Sequence, residues 1–295
     1  MEFLVALVVD GALAGVVYAL VALAFVVVYK ASRMMNFALG EWLMVASRLV
    51  ASGLHVLGLG LGAAVGVGCA VTIGMAVVLS RVVLRRLVGQ PLISLIMVTI
   101  GLGAVMRGSA AIVFAGVPGR ILLPIPQDLL IIRGVPIATD KLVAAAVAGI
   151  SIAAVSVFFR RSRTGIALRA IADDQQIAMT AGIDVQHHFA ITWALMGVLS
   201  VLAGTLWTVV SGGGGFNVVL LGLKVFPIVV IGGLDSIPGT IIGAIMIGVL
   251  ESLSAGYLDP VVGSGFSSVA SYLMLLAALL VRPHGLLGQR DIERV

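Results

Sequence analysis

The sequence predicts an all-α polytopic membrane protein, and two observations support this prediction. First, 61% of the 295 residues are hydrophobic and 11% are charged, with a mean hydropathy of +1.21. Soluble domains carry roughly 25% charged residues, and a soluble core of this size could not bury so much apolar surface. Second, the apolar residues form continuous runs instead of alternating ten-residue segments, which favours helices over a β-barrel.

Runs of about 20 apolar residues are long enough to cross the hydrocarbon layer as helices. We expect about eight to nine transmembrane segments, at residues 4–29, 36–51, 57–80, 92–115, 142–159, 189–210, 222–233, 240–254 and 266–281. The first run has no basic n-region or cleavage site, so it is interpreted as a retained helix and not as a secretory signal. Segment 222–233 counts as a short or half-length crossing.

The basic residues predict the orientation, because Lys and Arg concentrate in cytoplasmic loops. Twelve of the 18 fall on one side if the N-terminus is outside and the C-terminus is cytoplasmic: Lys30, Arg33, Arg81, Arg85, Arg86, Arg160, Arg161, Arg163, Arg169, Arg282, Arg290 and Arg294. This placement next to membrane segments argues against nucleic acid as the reason for the net charge of +5. Segment 116–141 is predicted to be an external loop, and Glu251 and Asp259 are also placed outside.

The first of two predicted helix breaks places Asn36, Gly40 and Glu41 at or just inside a membrane segment. A carboxylate at this depth is expensive and normally faces a bundle interior or a wet cavity. We therefore expect these residues to border a translocation pathway. The alternative is that Glu41 lies at an interfacial helix N-terminus, where its charge is favourable. Arg107, in a later apolar run, is expected to reach the lipid headgroups.

The second predicted break follows Pro227 and contains the candidate pathway residues Gly232, Gly233, Ser236 and Gly239. Pro removes a backbone donor and Gly frees the backbone dihedrals, which together favour a helix–break–helix element. Irregular backbone at membrane depth is tolerated where it faces protein or water, and transporters use broken helices to bind solutes. An ordinary loop between two helices is the alternative.

Residues 164–183 form a polar stretch that is too hydrophilic to span the membrane. Their helical periodicity predicts an amphipathic helix, with Thr164 as its N-cap and Gly182 as its end. We interpret it as a docking helix for a soluble partner, with a helix lying on lipid headgroups as the alternative. The candidate docking residues are Arg169, Asp173, Asp174, Gln175, Ala178 and Gly182.

The order of these motifs resembles the branched-chain amino acid permease family of ABC importers. Residues 169–183 resemble the coupling-helix region of that family, and stretches 15–20, 28–41, 222–239 and 282–288 match its pattern in order. The resemblance covers nearly the whole chain. Leu39 departs from it where the family commonly has His, and Pro227 departs where the family often has a small residue.

The resemblance implies one transmembrane permease domain over residues 1–295, of the larger many-helix importer type, in a bacterial cytoplasmic (inner) membrane. Its implied partners are a second, related permease subunit, two ATP-binding cassette ATPases and an external solute-binding protein. The expected function is to form the translocation pathway for branched-chain or other hydrophobic amino acids. Urea, short amides or aromatic acids are alternative solutes, and a passive small-solute channel is the alternative from another class.

No cofactor or catalytic site is expected in this chain. It has no G-x-x-x-x-G-K-[ST] motif to bind ATP, so ATP and Mg would bind the partner ATPases. The lone Cys69 excludes a thiolate cluster within the chain, and the adjacent His187 and His188 do not have the spacing of a metal site. Glu41, Asp235 and the histidines form no acid–base pair by spacing, which disfavours an enzyme.

Overall fold

The computed structural model describes residues 2–83, 90–125, 128–132, 134–282 and 285–288. These residues form twelve helices and one hairpin: α1 (Glu2–Ser32), α2 (Leu39–His55), α3 (Leu61–Val82), α4 (Leu92–Val113), β1 (Leu129–Ile132), β2 (Val135–Ala138), α5 (Thr139–Arg161), α6 (Arg163–Asp173), α7 (Gln175–Thr180), α8 (Val185–Val210), α9 (Val218–Gly232), α10 (Ile237–Tyr257), α11 (Asp259–Val262) and α12 (Phe266–Val281). Arg85, Arg86, Arg290 and Arg294, which contribute to the predicted orientation, lie outside the described residues.

Six of the described helices are long and apolar enough to cross a membrane, namely α1, α3, α4, α5, α8 and α10. The shorter helices α9 and α12 are also apolar. The predicted class, a helical polytopic membrane protein, is confirmed at this level. The predicted number of crossings stays a prediction.

Helix α1 lies at the centre of the bundle, and its residues from Val17 to Val28 are buried. It packs directly against α10, because both helices carry glycine at the contact. A Cβ atom on Gly15 would lie 2.8 Å from the Cα atom of Ile245, and one on Gly248 would lie 2.7 Å from the Cα atom of Gly15. Small residues of this kind let membrane helices approach backbone to backbone.

The chain between α1 and α2 is not helical over residues 33–38. The Phe37 N–H donates to the Thr99 hydroxyl (3.3 Å), and Thr99 lies about 10 Å along α4 from its first residue. Within the same segment, the Ala38 N–H donates to Oδ1 of Asn36 (3.0 Å). Helix α2 therefore begins inside the bundle, beside the middle of α4, which confirms that the chain is broken at this place.

The second predicted break lies between α9 and α10, at residues 233–236. Pro227 is inside α9, which continues to Gly232, whereas Gly233 has a φ of 106° that favours glycine. The C-terminal segment 285–288 covers this helix end: Leu286 N–H donates to the Ile231 carbonyl (2.8 Å), and Leu287 N–H donates to the Gly232 carbonyl (3.2 Å). These bonds satisfy carbonyls that a helix end would otherwise leave free.

The predicted docking helix over 164–183 is two helices, α6 and α7. Asp174 separates them in an extended conformation, and its Oδ1 accepts the N–H groups of Gln176 (2.8 Å) and Ile177 (2.9 Å) as the N-cap of α7. The predicted cap at Thr164 is wrong, because the Ser162 hydroxyl caps α6 by accepting the Gly165 N–H (2.9 Å). Ser162 has the extended backbone that an N-cap needs, whereas Thr164 is already helical.

The segment predicted to be an external loop contains the antiparallel hairpin β1–β2, with Leu129 opposite Ala138. It also packs over the C-terminal half of α2, where Arg48 donates to the Val117 carbonyl (2.7 Å). The segment is therefore tied to the bundle by backbone and side-chain bonds.

Candidate translocation pathway

A cavity of about 930 Å³ lies between α2, α4 and α9. Helix α4 lines it with one face, where residues recur at helical spacing; α2 contributes its first turn, and α9 contributes its first two turns. The lining residues are Phe37, Gly40, Glu41, Ile100, Gly103, Ala104, Arg107, Gly108, Ala111, Phe216, Val219, Leu220, Gly222 and Leu223. The walls are mostly apolar, with one carboxylate and one guanidinium facing the space.

Those two charges form an ion pair, in which Nη2 of Arg107 donates to Oε1 of Glu41. Arg107 lies about 22 Å along α4 from its first residue, within a helix that is long and apolar enough to cross a membrane. Glu41 is 5% exposed, whereas the side chain of Arg107 is 53% exposed. The buried Glu41 carboxylate holds Arg107 at the cavity, and its reach to the lipid headgroups stays a prediction.

Glycines make the room for this arrangement. A Cβ atom on Gly103 would lie 3.1 Å from the carboxylate carbon of Glu41, so the absent side chain leaves space for that carboxylate against α4. A Cβ atom on Gly222 would lie 2.5 Å from the Cα atom of Gly40, so α2 and α9 cross with their backbones in contact. The predicted pathway residues Gly40 and Glu41 therefore line a cavity, and Gly40 also sets the helix crossing.

Asn36 is 1% exposed and lies in the non-helical segment before α2. Its Oδ1 atom accepts the Ala38 N–H and so stabilises the turn before α2. No atom among the described residues accepts a hydrogen bond from its Nδ2. The structure places Asn36 four residues before the cavity-lining Gly40, and not in the cavity wall.

The second group of predicted pathway residues is packed against protein and does not line this cavity. A Cβ atom on Gly232 would lie 2.5 Å from the carbonyl carbon of Gly239, and one on Gly233 would lie 2.5 Å from the N atom of Gly288. The Ser236 hydroxyl caps α10 by accepting the Gly239 N–H (3.2 Å). The two breaks therefore differ: the first lies at the cavity, and the second is a helix connection that is closely packed against other backbone.

A second ion pair, which the sequence analysis missed, lies on the other side of α9. Glu251 is in α10, is 9% exposed, and its Oε1 is 3.0 Å from Nζ of Lys224. The same carboxylate accepts the hydroxyls of Tyr18 (2.7 Å) and Ser271 (2.6 Å). The expected position of Glu251 in an external segment is wrong. Opposite charges in two otherwise apolar segments, Lys224 and Glu251, are the signal that could have predicted this pair.

The docking residues divide into outward-facing and inward-facing groups. Asp173 is exposed, and Arg169 and Gln175 are half-buried. Ala178 is buried against Ile171 and Phe189, so it belongs to the packing beneath the surface. Gly182 follows α7 with a φ of 83° and is exposed. Two apolar side chains that the sequence analysis did not select, Ile177 and Met179, are exposed on α7.

His187 lines a separate cavity of about 550 Å³ between α3 and α8, together with Arg81 and Asp184. Nδ1 of the neighbouring His188 is 2.7 Å from the carbonyl oxygen of Asp184. Within the described part of the chain, no group of three or more His, Cys, Asp or Glu side chains is placed to hold a metal ion.

An apolar helical bundle with broken helices and a mostly apolar cavity that contains an ion pair fits the architecture of a membrane permease. The chain matches the family described as "Branched-chain amino acid transport system / permease component" over residues 7–281. It is 30% identical to the high-affinity branched-chain amino acid transport system permease protein BraD of Pseudomonas aeruginosa, over 97% of this chain and 96% of that protein. The corresponding permease protein LivH of Salmonella typhimurium is also 30% identical, with the same coverage. The chain belongs to the branched-chain amino acid permease family.

Among solved structures, the PsaBC complex of Streptococcus pneumoniae with a Fab has 18% identity and a TM-score of 0.49, over 93% of this chain and 91% of that one. This likeness is too distant to support a statement about the fold.

Proposed function

We propose that this chain is the transmembrane permease subunit of an ATP-driven importer for branched-chain or other hydrophobic amino acids. Family membership supports the proposal, as do the names of the relatives, which are permeases of high-affinity branched-chain amino acid transport systems. Its partners would be a second, related permease subunit, two ATP-binding cassette ATPases that bind ATP and Mg, and an external solute-binding protein.

We place the protein in the bacterial inner membrane, with the N-terminus outside and the C-terminus in the cytoplasm. Lys30 lies near Arg33, Arg169, Asp173 and Asp235, so the end of α1, helix α6 and the α9–α10 connection are on one side of the bundle. Positive charge next to membrane segments favours the cytoplasmic side. The docking surface would then face the compartment that contains ATP.

The observation that carries the importer proposal is the surface formed by Asp173, Ile177 and Met179 on α6 and α7. Both helices lie outside the candidate membrane spans, and yet Ile177 is 66% exposed and Met179 is also exposed. Exposed apolar side chains on helices outside the candidate membrane spans indicate a partner that covers them. The mixture of apolar and acidic side chains favours a protein partner over anionic lipid headgroups.

This surface is connected to the cavity through packed helices. Helix α6 packs against α1 and α5, and α1 packs against α8, α9 and α10. A partner that pushes on α6 when it binds ATP would therefore act on the central helix. For the cavity to change its opening, the partner must bind one arrangement of the bundle better than the other by a few kcal/mol.

The proposal is tested by uptake of labelled solutes into proteoliposomes that contain the chain and its partner subunits, with ATP present or absent. We expect ATP-dependent uptake of leucine, and a loss of at least tenfold for Ile177→Glu, because a new charge would lie inside the docking interface. Asp174→Asn is the matched control, since it removes a neighbouring charge and retains an N-cap side chain for α7. An arginine at position 174 would not serve, because it would also remove the cap.

Solute flux through the isolated chain without ATP or an ATPase would contradict the proposal and favour a passive channel. ATP-dependent uptake of urea or an aromatic acid in place of leucine would retain the importer and correct its solute.

A further inference from the structure

We propose that Glu41 and Arg107 form a two-charge binding site, within the permease chain itself, for the backbone of a free α-amino acid. Glu41 binds the ammonium group and Arg107 binds the carboxylate. This inference rests on the proposed function to the extent that the cavity between α2, α4 and α9 lies on the transport path. It adds a defined ligand site and a role for each of the two charges.

The charges of the cavity match those of a zwitterion. In the structure, Glu41 and Arg107 neutralise each other, so the buried carboxylate has a cation beside it. When a zwitterion enters, each charge exchanges its partner for one of opposite sign, and neither is left unpaired. A neutral amide such as urea has no full charge to offer, and an acid without an ammonium group would leave Glu41 without a cation.

The two side chains differ in mobility in the way that this exchange requires. Glu41 is buried in the first turn of α2 and rests in the space above Gly103, so its position is fixed by packing. Arg107 is long and half-exposed, so its guanidinium has room to move while its stem stays on α4. A guanidinium has five N–H donors in a planar fork that suits a carboxylate, and the contact with Glu41 leaves donors free.

The walls provide the place for an aliphatic side chain. Phe37, Ile100, Leu220 and Leu223 line the space with apolar surface and come from the segment before α2, from α4 and from α9. A volume of about 930 Å³ is close to the upper end for small-molecule cavities, so the walls admit side chains of several sizes. The two charges would therefore define the class of ligand, and the walls would favour apolar members of that class.

The Lys224–Glu251 pair shows what an ion pair without this role looks like. The Glu251 carboxylate already accepts bonds from Tyr18, Lys224 and Ser271, on four different helices counting its own. Its partners leave little of that carboxylate for a ligand. The Lys224–Glu251 pair is therefore the matched control for the Glu41–Arg107 pair.

The test is equilibrium binding of radiolabelled leucine to the full-length chain, purified in detergent without ATP. The competitors are leucinamide, which has no carboxylate, 4-methylpentanoate, which has no ammonium group, and urea. We expect leucine to bind at least tenfold more tightly than either leucine analogue, because each analogue loses one charge-assisted interaction. Urea should not compete.

Two single variants should give crossed effects. Glu41→Gln is expected to weaken leucine and leucinamide at least tenfold and to spare 4-methylpentanoate. Arg107→Gln is expected to weaken leucine and 4-methylpentanoate to the same extent and to spare leucinamide. The double variant Glu41→Gln/Arg107→Gln, which leaves no lone charge, should lose the preference for leucine. The control Lys224→Gln/Glu251→Gln should lower the unfolding temperature and keep the wild-type order of ligands.

Equal binding of leucine and its two analogues to the wild-type chain would overturn the proposal, and so would an absence of leucine binding. A double variant that keeps the preference for leucine would overturn it as well. If a single variant fails to fold, the ligand series on the wild-type chain still decides. Because the binding assay contains no ATP, failure of the site and failure of the importer function give different results: the first leaves ATP-dependent uptake intact, and the second leaves the binding pattern intact.

Discussion

The Glu41–Arg107 and Lys224–Glu251 pairs both place opposite charges among membrane helices, but their surroundings differ. Glu251 is bonded by side chains from α1, α9 and α12. Within the described ranges Glu41 has one ionic partner, and that partner is half-exposed at a cavity. The Lys224–Glu251 pair is closed, and the Glu41–Arg107 pair is open.

This difference indicates two physical roles. A buried charge is tolerated when its hydrogen-bonding capacity is satisfied, and such a network fixes the elements that contribute to it. Lys224 Nζ also lies 5.5 Å from the centre of the Tyr18 ring, which adds a cation–π contact to the closed pair. An open pair, in contrast, retains hydrogen-bonding capacity for a ligand. The closed pair holds the bundle together, and the open pair is available for binding.

The largest expected effect is the removal of Glu251. Glu251→Ala leaves Lys224 without its carboxylate and removes the acceptor of Tyr18 and Ser271, so we expect a loss of about 3–5 kcal/mol in the free energy of unfolding. Glu41→Ala at the open pair should lose only about 1 kcal/mol, because the Arg107 guanidinium that it leaves behind is half-exposed and is solvated by water. Denaturant unfolding of the two purified variants provides the comparison. Equal losses would show that the two pairs do not differ in this way.

A smaller effect is expected when a methyl group is added to glycines of the two regions. Gly15→Ala places a Cβ 2.8 Å from the backbone of α10, so α1 must move, and we expect a loss of about 1–3 kcal/mol. Gly103→Ala places a Cβ 3.1 Å from the end of the Glu41 side chain, which is able to shift. The better helix propensity of Ala, up to about 1 kcal/mol, should offset that contact. Thermal unfolding measures both, and a larger loss for Gly103→Ala would contradict an open cavity.

The sequence predicts the helical class and the breaks, because hydropathy runs and Gly or Pro punctuation are local signals. It also selects Glu41, since a carboxylate next to an apolar run stands out. Local sequence signals do not predict which residue pairs with Glu41 or with Glu251. Arg107 is 66 residues from Glu41 and Lys224 is 27 residues from Glu251, so the pairing depends on which helix faces meet.

The docking region shows the same limit on a smaller scale. Periodicity indicates a helix over 164–183, but Asp174 has both a docking interpretation and a capping one, and both fit the same residue type. Only the extended backbone at this position shows that its carboxylate caps α7. The exposed Ile177 and Met179 had no signal either, because apolar residues in an amphipathic stretch are expected to be buried.

The smallest expected effect concerns Asp259. It is a carboxylate outside the candidate membrane spans, and it serves as a comparison for Glu41 and Glu251. The Ser267 N–H donates to Oδ1 (2.9 Å), and this bond, together with the Ser267 hydroxyl (3.0 Å to Oδ2), lowers the pKa of Asp259 below its ordinary value of 3.8. A carboxyl whose pKa is lower in the folded state than in the unfolded state stabilises the fold at a pH above its unfolded-state pKa. This contribution disappears as the pH falls through the folded-state pKa.

We therefore expect Asp259→Asn to unfold at a slightly lower temperature than the wild-type chain at neutral pH, with the gap closing below about pH 3.8. Thermal unfolding in detergent across this range measures it. Ser267→Ala is the matched control, since it removes the hydroxyl but keeps the backbone donor, and its gap should be smaller. A gap that widens in acid would show that Asp259 is not stabilised as an anion. The effect should also stay below that of Glu251→Ala, because water already solvates an exposed carboxylate and a closed membrane pair has no such substitute.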